Sequence, residues 1–324
     1  MIFPGDVFST NKQNLFGSSM VLVLTNIILF LVISLTFPDP RQNYSSLDYQ
    51  FYTQKIVEMY VQTLDPIELQ FRNKEDLQVS QVIRDIQFWH KAMNFPFKGD
   101  SVQINETKKF LFDLKNEYNQ SAQYNFGLSS QPNSLWSWIT YQFLHSNLVH
   151  LLGNVFFLFL ITNWLRTKIS DEWVYCIYVL SGVGGGVAYL TMNASNEIAV
   201  LGASGAICGL MSFAVIAFYN QTMPWSYFLS PVSGYYGVLY IPIVFIFPMY
   251  LISDFTTVLV SQSGVQSAIA HSAHIGGTIV GCVLGLFYIF DQKIKKWIIQ
   301  EWLLKNQNEL TLQEYQELRD KVSS

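Results

Sequence analysis

The sequence predicts an all-α polytopic membrane protein, six transmembrane helices with a helical extramembrane insert between the first and the second. Three observations carry this. The 324 residues are 50% hydrophobic and only 13% charged, the composition of a membrane protein rather than of a soluble domain. Six apolar stretches, near 19–37, 147–165, 172–191, 199–219, 237–260 and 269–290, are long enough to cross a bilayer. Finally, no Lys or Arg occurs between Lys168 and Lys293.

Taken in order, residues 1–18 form a short N-terminal segment and 19–37 the first span. That span is too long for the apolar region of a signal peptide, and no small-x-small cleavage site follows Phe37, so it reads as an uncleaved anchor. Residues 38–134 form an insert of mixed charge. Within it Leu47–Leu64, Glu75–Asn94 and Asn105–Tyr118 have helical spacing of apolar residues, and His90 reads as an ordinary surface residue. Residues 135–290 hold spans two to six. The tail, 291–324, is amphipathic, with Trp297, Ile298, Trp302 and Leu303 set among polar residues, and Thr311 with Glu314 makes a capping box for a last short helix.

Charge sets the orientation. Ten of the 19 Lys and Arg lie between Arg41 and Lys115 in the long first loop, and long loops translocate regardless of charge. The other nine, Arg166, Lys168 and Lys293 among them, fall on one side of a six-span protein, so both termini are expected in the cytoplasm and the insert outside. The sequence shows no transit peptide and no long cytoplasmic tail, and a bacterial plasma membrane is the expected location. Cys176, Cys208 and Cys282 lie in apolar spans and read as small buried residues rather than a disulfide framework. No basic run points to nucleic acid, the lipid bilayer is the expected environment, and nothing in the sequence speaks to oligomeric state.

Polar residues inside the spans carry the chemistry, because polar groups are costly in a bilayer. Four of the five histidines are His145, His150, His271 and His274, before span two and at the start of span six. Gly202-Ala203-Ser204-Gly205 is a Gly-x-Ser-Gly turn that puts a serine hydroxyl at the start of a helix. Spans two, four and six run in the same direction, so His150, Ser204 and His274 fall at one depth, near the outer surface. Ser204 is a poor nucleophile until a base takes its proton, and His274 is the candidate base. The helix N-terminus at Ser204 aims N–H groups at a developing oxyanion. His150 and Asn154, spaced i, i+4, share one helical face and are further oxyanion donors. Gly205 with Gly209, and Gly277 with Gly281 and Gly285, are small faces that let spans four and six approach closely.

Plainer readings exist for each residue. An isolated Gly-x-Ser-Gly serine is usually a helix-packing residue. His271 is an alternative base, disfavoured because Gly276-Gly277 follows His274. His145 reads as a structural hydrogen-bonding group of the outer loop. Asp254 lies well past the middle of span five and reads as a structural polar contact rather than a catalytic acid. A zinc site would leave Ser204 unexplained and has no His-Glu-x-x-His motif, so no metal or other cofactor is expected. A transporter would hold its polar layer near the midplane.

His145, the run His150-Leu-Leu-Gly-Asn154, the run Gly202-Ala-Ser-Gly205, and Ala273-His274-Ile275-Gly276-Gly277 resemble the rhomboid family of intramembrane serine proteases, over about residues 135–290. The resemblance implies a six-helix rhomboid core and a Ser204–His274 dyad without a catalytic Asp. It implies an oxyanion hole of His150, Asn154 and the Ser204 N–H, and other proteins' transmembrane segments as substrates. Two positions depart from the family pattern. Trp136-Ser137 stands where many rhomboids have Trp-Arg, and Cys208 stands where many have an aromatic packed on the catalytic imidazole. The insert is also longer than the family's usual first loop. A rhomboid-like protein without activity would normally lack Ser or His at the dyad, and both are present here.

Overall fold

Helices dominate because most apolar runs here are long, and a spanning helix satisfies all its backbone groups internally. A computed structural model of the chain describes residues 2–4, 17–37, 46–65, 82, 86–130, 134–192, 199–228, 236–248, 250 and 264–305. In chain order these give β1 (Ile2–Pro4), α1 (Ser18–Thr36), α2 (Ser46–Thr63), α3 (Ile86–Ala92), α4 (Ser101–Gln120), α5 (Ala122–Phe126) and α6 (Ser137–Thr140). There follow α7 (Leu148–Leu165), α8 (Asp171–Met192), α9 (Ser204–Ala217), β2 (Thr222–Phe228), β3 (Tyr236–Pro242) and α10 (Gly264–Lys305). Among the described residues α1, α7, α8 and α10 are long and apolar enough to cross a membrane, and α9 is a shorter apolar helix.

Two expectations are corrected. The protein is mostly helical rather than all-α, since an antiparallel sheet of order β1-β2-β3 is present. The fifth span does not begin as a helix at 237, because that stretch is β3, paired with β2 from Thr222↔Pro242 to Phe228↔Tyr236. Pro242 lacks an N–H and would clash with the carbonyl four residues earlier, which forbids a helix through it. The aromatic and β-branched run before it suits a strand. Tyr250 is helical, while Asp254 and the rest of that stretch lie outside the described residues, as does the Thr311–Glu314 capping box. The amphipathic tail is not a separate element, for α10 runs unbroken through Lys305.

One end of the bundle is tied by charge. The first N–H of α1 and the Ser18 hydroxyl both donate to Asp171 Oδ1, at 3.1 and 2.6 Å. Arg166 Nε holds the same oxygen at 2.8 Å, and Arg166 also reaches Ser19 Oγ at 3.3 Å. Gly17 precedes α1 without a capping side chain, and Asp171 takes that role, as an acidic group at a helix N-terminus should. Lys168 Nζ to Gln221 Oε1, at 3.2 Å, and Trp164 Nε1 to the Thr222 carbonyl, at 3.1 Å, bring the sheet to this same end. Pairing of β1 with β2 therefore sets the N-terminal strand where α9 stops.

The opposite end carries the insert. Ile56, Met59 and Tyr60 of α2, Phe88 and Ala92 of α3 and Phe110 and Leu111 of α4 bury together as a small core of their own. Its last turn is fastened to the bundle. Leu128 and Val200 exchange backbone hydrogen bonds at 3.2 and 2.8 Å, and Phe37 and Phe126 meet edge to face.

Between the ends, α10 packs along α9 and α8 with backbone against backbone. A Cβ on Gly277 would collide with the Gly205 carbonyl oxygen, one on Gly281 with that of Gly209, and one on Gly276 with that of Gly184. The pairing of 277 with 205 and 281 with 209 makes α9 and α10 parallel. Ser212 Oγ lies 3.1 Å from Gly209 O and 3.0 Å from Thr278 O, so its one proton bridges the two helices. In lipid, where apolar burial does not drive association, such close small-residue contact is what holds helices together. Gly277→Val should therefore destabilise the bundle by about 3 kcal/mol, the upper range for overpacking. Gly153→Ala, at a position with nothing within 4 Å, should be neutral or slightly stabilising. Thermal unfolding in detergent checks both.

Candidate active site

Gly202 organises the site. Its φ of +120 is a conformation that favours glycine, and its N–H donates to the Tyr141 carbonyl at 2.9 Å. A Cβ here would stand 2.9 Å from His150 Cε1, 3.1 Å from His150 Nε2 and 3.7 Å from Asn154 Nδ2. The bare backbone of Gly202 thus lies against both polar side chains of α7. Two residues on, Ser204 opens α9, buried, with no side chain capping the first turn, so the leading N–H groups stay available at the serine.

The α9 helix is only 14 residues, about 21 Å at 1.5 Å per residue, against about 30 Å of hydrocarbon. Residues 199–203, expected as the start of span four, are extended and loop-like instead. The start of α9 meets Gly185, inside α8, and Ala273, inside α10, which sets Ser204 within the ends of those two helices.

His150 is oriented by its own helix start. Asn147 caps α7, its Oδ1 accepting from His150 N at 2.9 Å, and Asn147 Nδ2 donates to Ser146 Oγ at 3.3 Å. Ser146 Oγ in turn lies 3.2 Å from His150 Nδ1. That contact leaves Nε2 as the ring nitrogen facing Gly202, with a built Cβ there 3.1 Å away. Asn154, one turn deeper, is 4% exposed, and its Nδ2 has no hydrogen-bond partner among the described residues. A buried unmet donor costs stability, and this one points to a ligand still to come.

On the far side, Ala273 O lies 3.1 Å from the Cβ position of Gly205. Gly205 and Ala273 are the chain neighbours of Ser204 and His274, so the two helices meet at the residues that flank this pair. His274 is 4% exposed. Its ring contacts those of Tyr250, with centroids 6.3 Å apart, and His271, at 6.0 Å. His271 is half-buried.

His145 packs edge-on to His150, ring centroids 5.1 Å apart. Burial, then the neighbouring His150, hold its pKa down to about 3. His90 is exposed on α3, and among the described residues no His, Cys, Asp or Glu group could hold a metal.

The two departures also find their places. Ser137 is buried, and the outer loop is fastened without an arginine. Thr140 Oγ1 donates to Phe126 O at 2.6 Å, Gln142 Nε2 to Trp138 O at 3.1 Å, and Tyr178 Oη to Gln142 O at 3.3 Å. Cys208 is fully buried in the main core, and the aromatic beside His274 is Tyr250. Tyr141, Ser146 and Tyr250 escaped the sequence reading. Only Ser146, at i−4 from His150, left a visible signal.

Fold and site together define a polytopic helical membrane protein with a polar cluster sunk at one end of a glycine-packed bundle. Residues 132–290 match the Rhomboid domain, and this part of the chain is similar to rhomboid proteins. Relatives include Rhomboid protease AarA of Providencia stuartii, 28% identical across 48% of this chain and 56% of that protein. The chain is also similar to two proteins of Arabidopsis thaliana. Rhomboid-like protein 11, chloroplastic, is 25% identical across 46% of this chain and 51% of its own. RHOMBOID-like protein 6, mitochondrial, is 26% identical across 52% and 48%. The chain spans about half the length of these curated relatives. Because one of these relatives is named chloroplastic and another mitochondrial, the match does not carry the expected bacterial plasma membrane.

The His145 environment gives a pH prediction. The folded ring stays neutral down to about pH 3, whereas the unfolded chain takes up that proton near pH 6.5. The unfolded state then binds more protons between these values, so this contribution is complete above pH 6.5 and is lost as pH falls towards 3. Melting temperature in detergent should fall less steeply from pH 6.5 to 4 in His145→Gln than in the wild type.

Proposed function

We propose that this chain is an intramembrane serine endopeptidase that cuts transmembrane segments of other membrane proteins near the extracytoplasmic face. The observation that carries this reading is the meeting of Gly205 with Ala273 and Gly277, which seats the start of α9 against the helix that bears His274. Gly202 on the other side lies against His150 and Asn154. Support also comes from the relatives, one of them named a rhomboid protease.

In this mechanism Ser204 Oγ attacks the scissile carbonyl while His274 takes its proton. In this reading the Ser204 N–H, His150 Nε2–H and Asn154 Nδ2 hold the oxyanion, and preorganised donors of this kind cost no reorganisation during the reaction. The C–N bond breaks as His274 returns the proton to the leaving amine. Water then attacks the acyl ester, His274 removes its proton, and the proton goes back to Ser204 as the acid leaves. No metal or cofactor enters any step.

The topology that suits this activity has both termini in the cytoplasm and the 38–134 insert outside. The Arg166 and Lys168 end, with its sheet, then faces inward. Water reaches a site at the outer end more readily than one at the midplane. A substrate helix must unwind to expose a carbonyl, and in lipid the freed groups have no partners. Segments with Gly or Pro near the cut are the preferred substrates.

Ser204→Ala and His274→Ala should each lower turnover of a model transmembrane substrate at least about a thousandfold, with the double variant no worse, because the pair acts as a unit. Asn154→Ala should lower kcat about a hundredfold with KM little changed, as expected for a donor used in the transition state. Cleavage assays in proteoliposomes measure all four. A dead His271→Ala beside an active His274→Ala would overturn the assignment of the base.

A further inference from the structure

We propose that Tyr250 is a positioning residue for His274, its ring holding the imidazole in the rotamer that serves Ser204. The inference rests on the dyad reading above and deepens it.

Three rings stand in a row across the site. Phe157 of α7 meets Tyr250 edge to face, with centroids 4.9 Å apart at 83°, and Tyr250 meets His274 of α10 at 6.3 Å and 64°. Phe157 comes three residues after Asn154, on the same face of α7. The row therefore runs from the helix with the proposed oxyanion donors to the helix with the proposed base. Tyr250 itself is 3% exposed and belongs to the main core with Phe157. It is fixed from behind by Phe157 and presses forward on the imidazole.

A base needs such a wall. The χ2 of a histidine is broad and roughly two-fold, so backbone packing of α10 places Cβ of His274 without placing its nitrogens. Thr278 Oγ1 bonds the His274 carbonyl at 2.8 Å, which steadies the helix and leaves the ring untouched. Edge-to-face contact between rings within 4.5–7 Å is attractive and directional, and a buried ring on one side removes the rotamers that would turn into its volume. The other flank is His271, at 6.0 Å and 73°. Tyr250 and His271 each limit the volume into which the imidazole can turn. The aromatic ring of Tyr250 does this work rather than its hydroxyl.

The test uses the full chain in detergent and a fluorophosphonate, whose labelling endpoint counts active molecules and whose rate reports the pair. Tyr250→Phe should keep the wild-type rate, since it keeps the ring. Tyr250→Leu should label Ser204 to the same endpoint about tenfold more slowly, the scale of one lost ring contact. Its kcat on a transmembrane substrate should fall alike with KM unchanged. Tyr250→Met, with a long unbranched apolar chain and no ring, should behave as Tyr250→Leu does if that variant folds poorly. Wild-type labelling rate and kcat in the Leu and Met variants would overturn the proposal. So would a reduced endpoint with an unchanged rate per active molecule, which marks loss of folding alone. No Ser204-dependent labelling of the wild type at all would overturn the dyad reading, and this inference with it.

Discussion

Everything at the site depends on how closely α9 and α10 approach. Carbonyl oxygens of Gly205 and Gly209 occupy the space where side chains of residues 277 and 281 would otherwise stand. Contact at that range is set by backbone, not by adaptable side chains, so the spacing is fixed. On the other flank α8 meets α10 in the same way through Gly184 and Gly276, and Ala273 O rests 2.8 Å from the Cβ position of Gly185. Three helices thus share one seam of small residues. Van der Waals packing and interhelical hydrogen bonds are the forces available between helices in lipid, and this seam supplies both, Ser212 furnishing the second. Ser204 and His274 stand one residue from its top.

Depth and polarity follow from the start of α9. A positive φ at Gly202 turns the chain sharply into the helix, and the Tyr141 carbonyl holds that turn through the Gly202 N–H. Because the helix is short, its N-terminus and its unpaired leading N–H groups lie inside the bundle. The same turn presents a bare backbone face to His150 and Asn154. Asn154 keeps a buried donor without a partner among the described residues. In the proposed mechanism that donor is met by the oxyanion.

The residues that the fold gathers around Gly202 and Gly205 were legible in the sequence because they are sparse residue types at fixed spacing. Histidine is rare in this chain, and His150 with Asn154 at i, i+4 or Gly205 with Gly277 in small-residue runs leaves a pattern that an apolar background cannot hide. What the sequence concealed lay where two structures share one composition. The run Tyr236–Pro242 is apolar enough for a span, yet Pro242 and its β-branched neighbours make it a strand. The capping of α1 by Asp171 joins residues 153 positions apart. The Tyr250–His274 contact likewise depends on tertiary packing that no local pattern encodes. Ser146 is intermediate: a serine four residues before a histidine at a helix start is visible, but its contact with the ring depends on how Asn147 caps that helix.

In the proposed mechanism one seam of helix packing seats Ser204 between its base and its oxyanion donors. The most direct measurement is a structure of the full chain after reaction with a small fluorophosphonate. The account predicts phosphorus bonded to Ser204 Oγ and a phosphonyl oxygen within about 3 Å of His150 Nε2, Asn154 Nδ2 and the Ser204 N–H, the distance expected of oxyanion donors. The His274 imidazole should lie on the opposite side, against Tyr250. An adduct on another residue, or a phosphonyl oxygen turned away from α7, would contradict it.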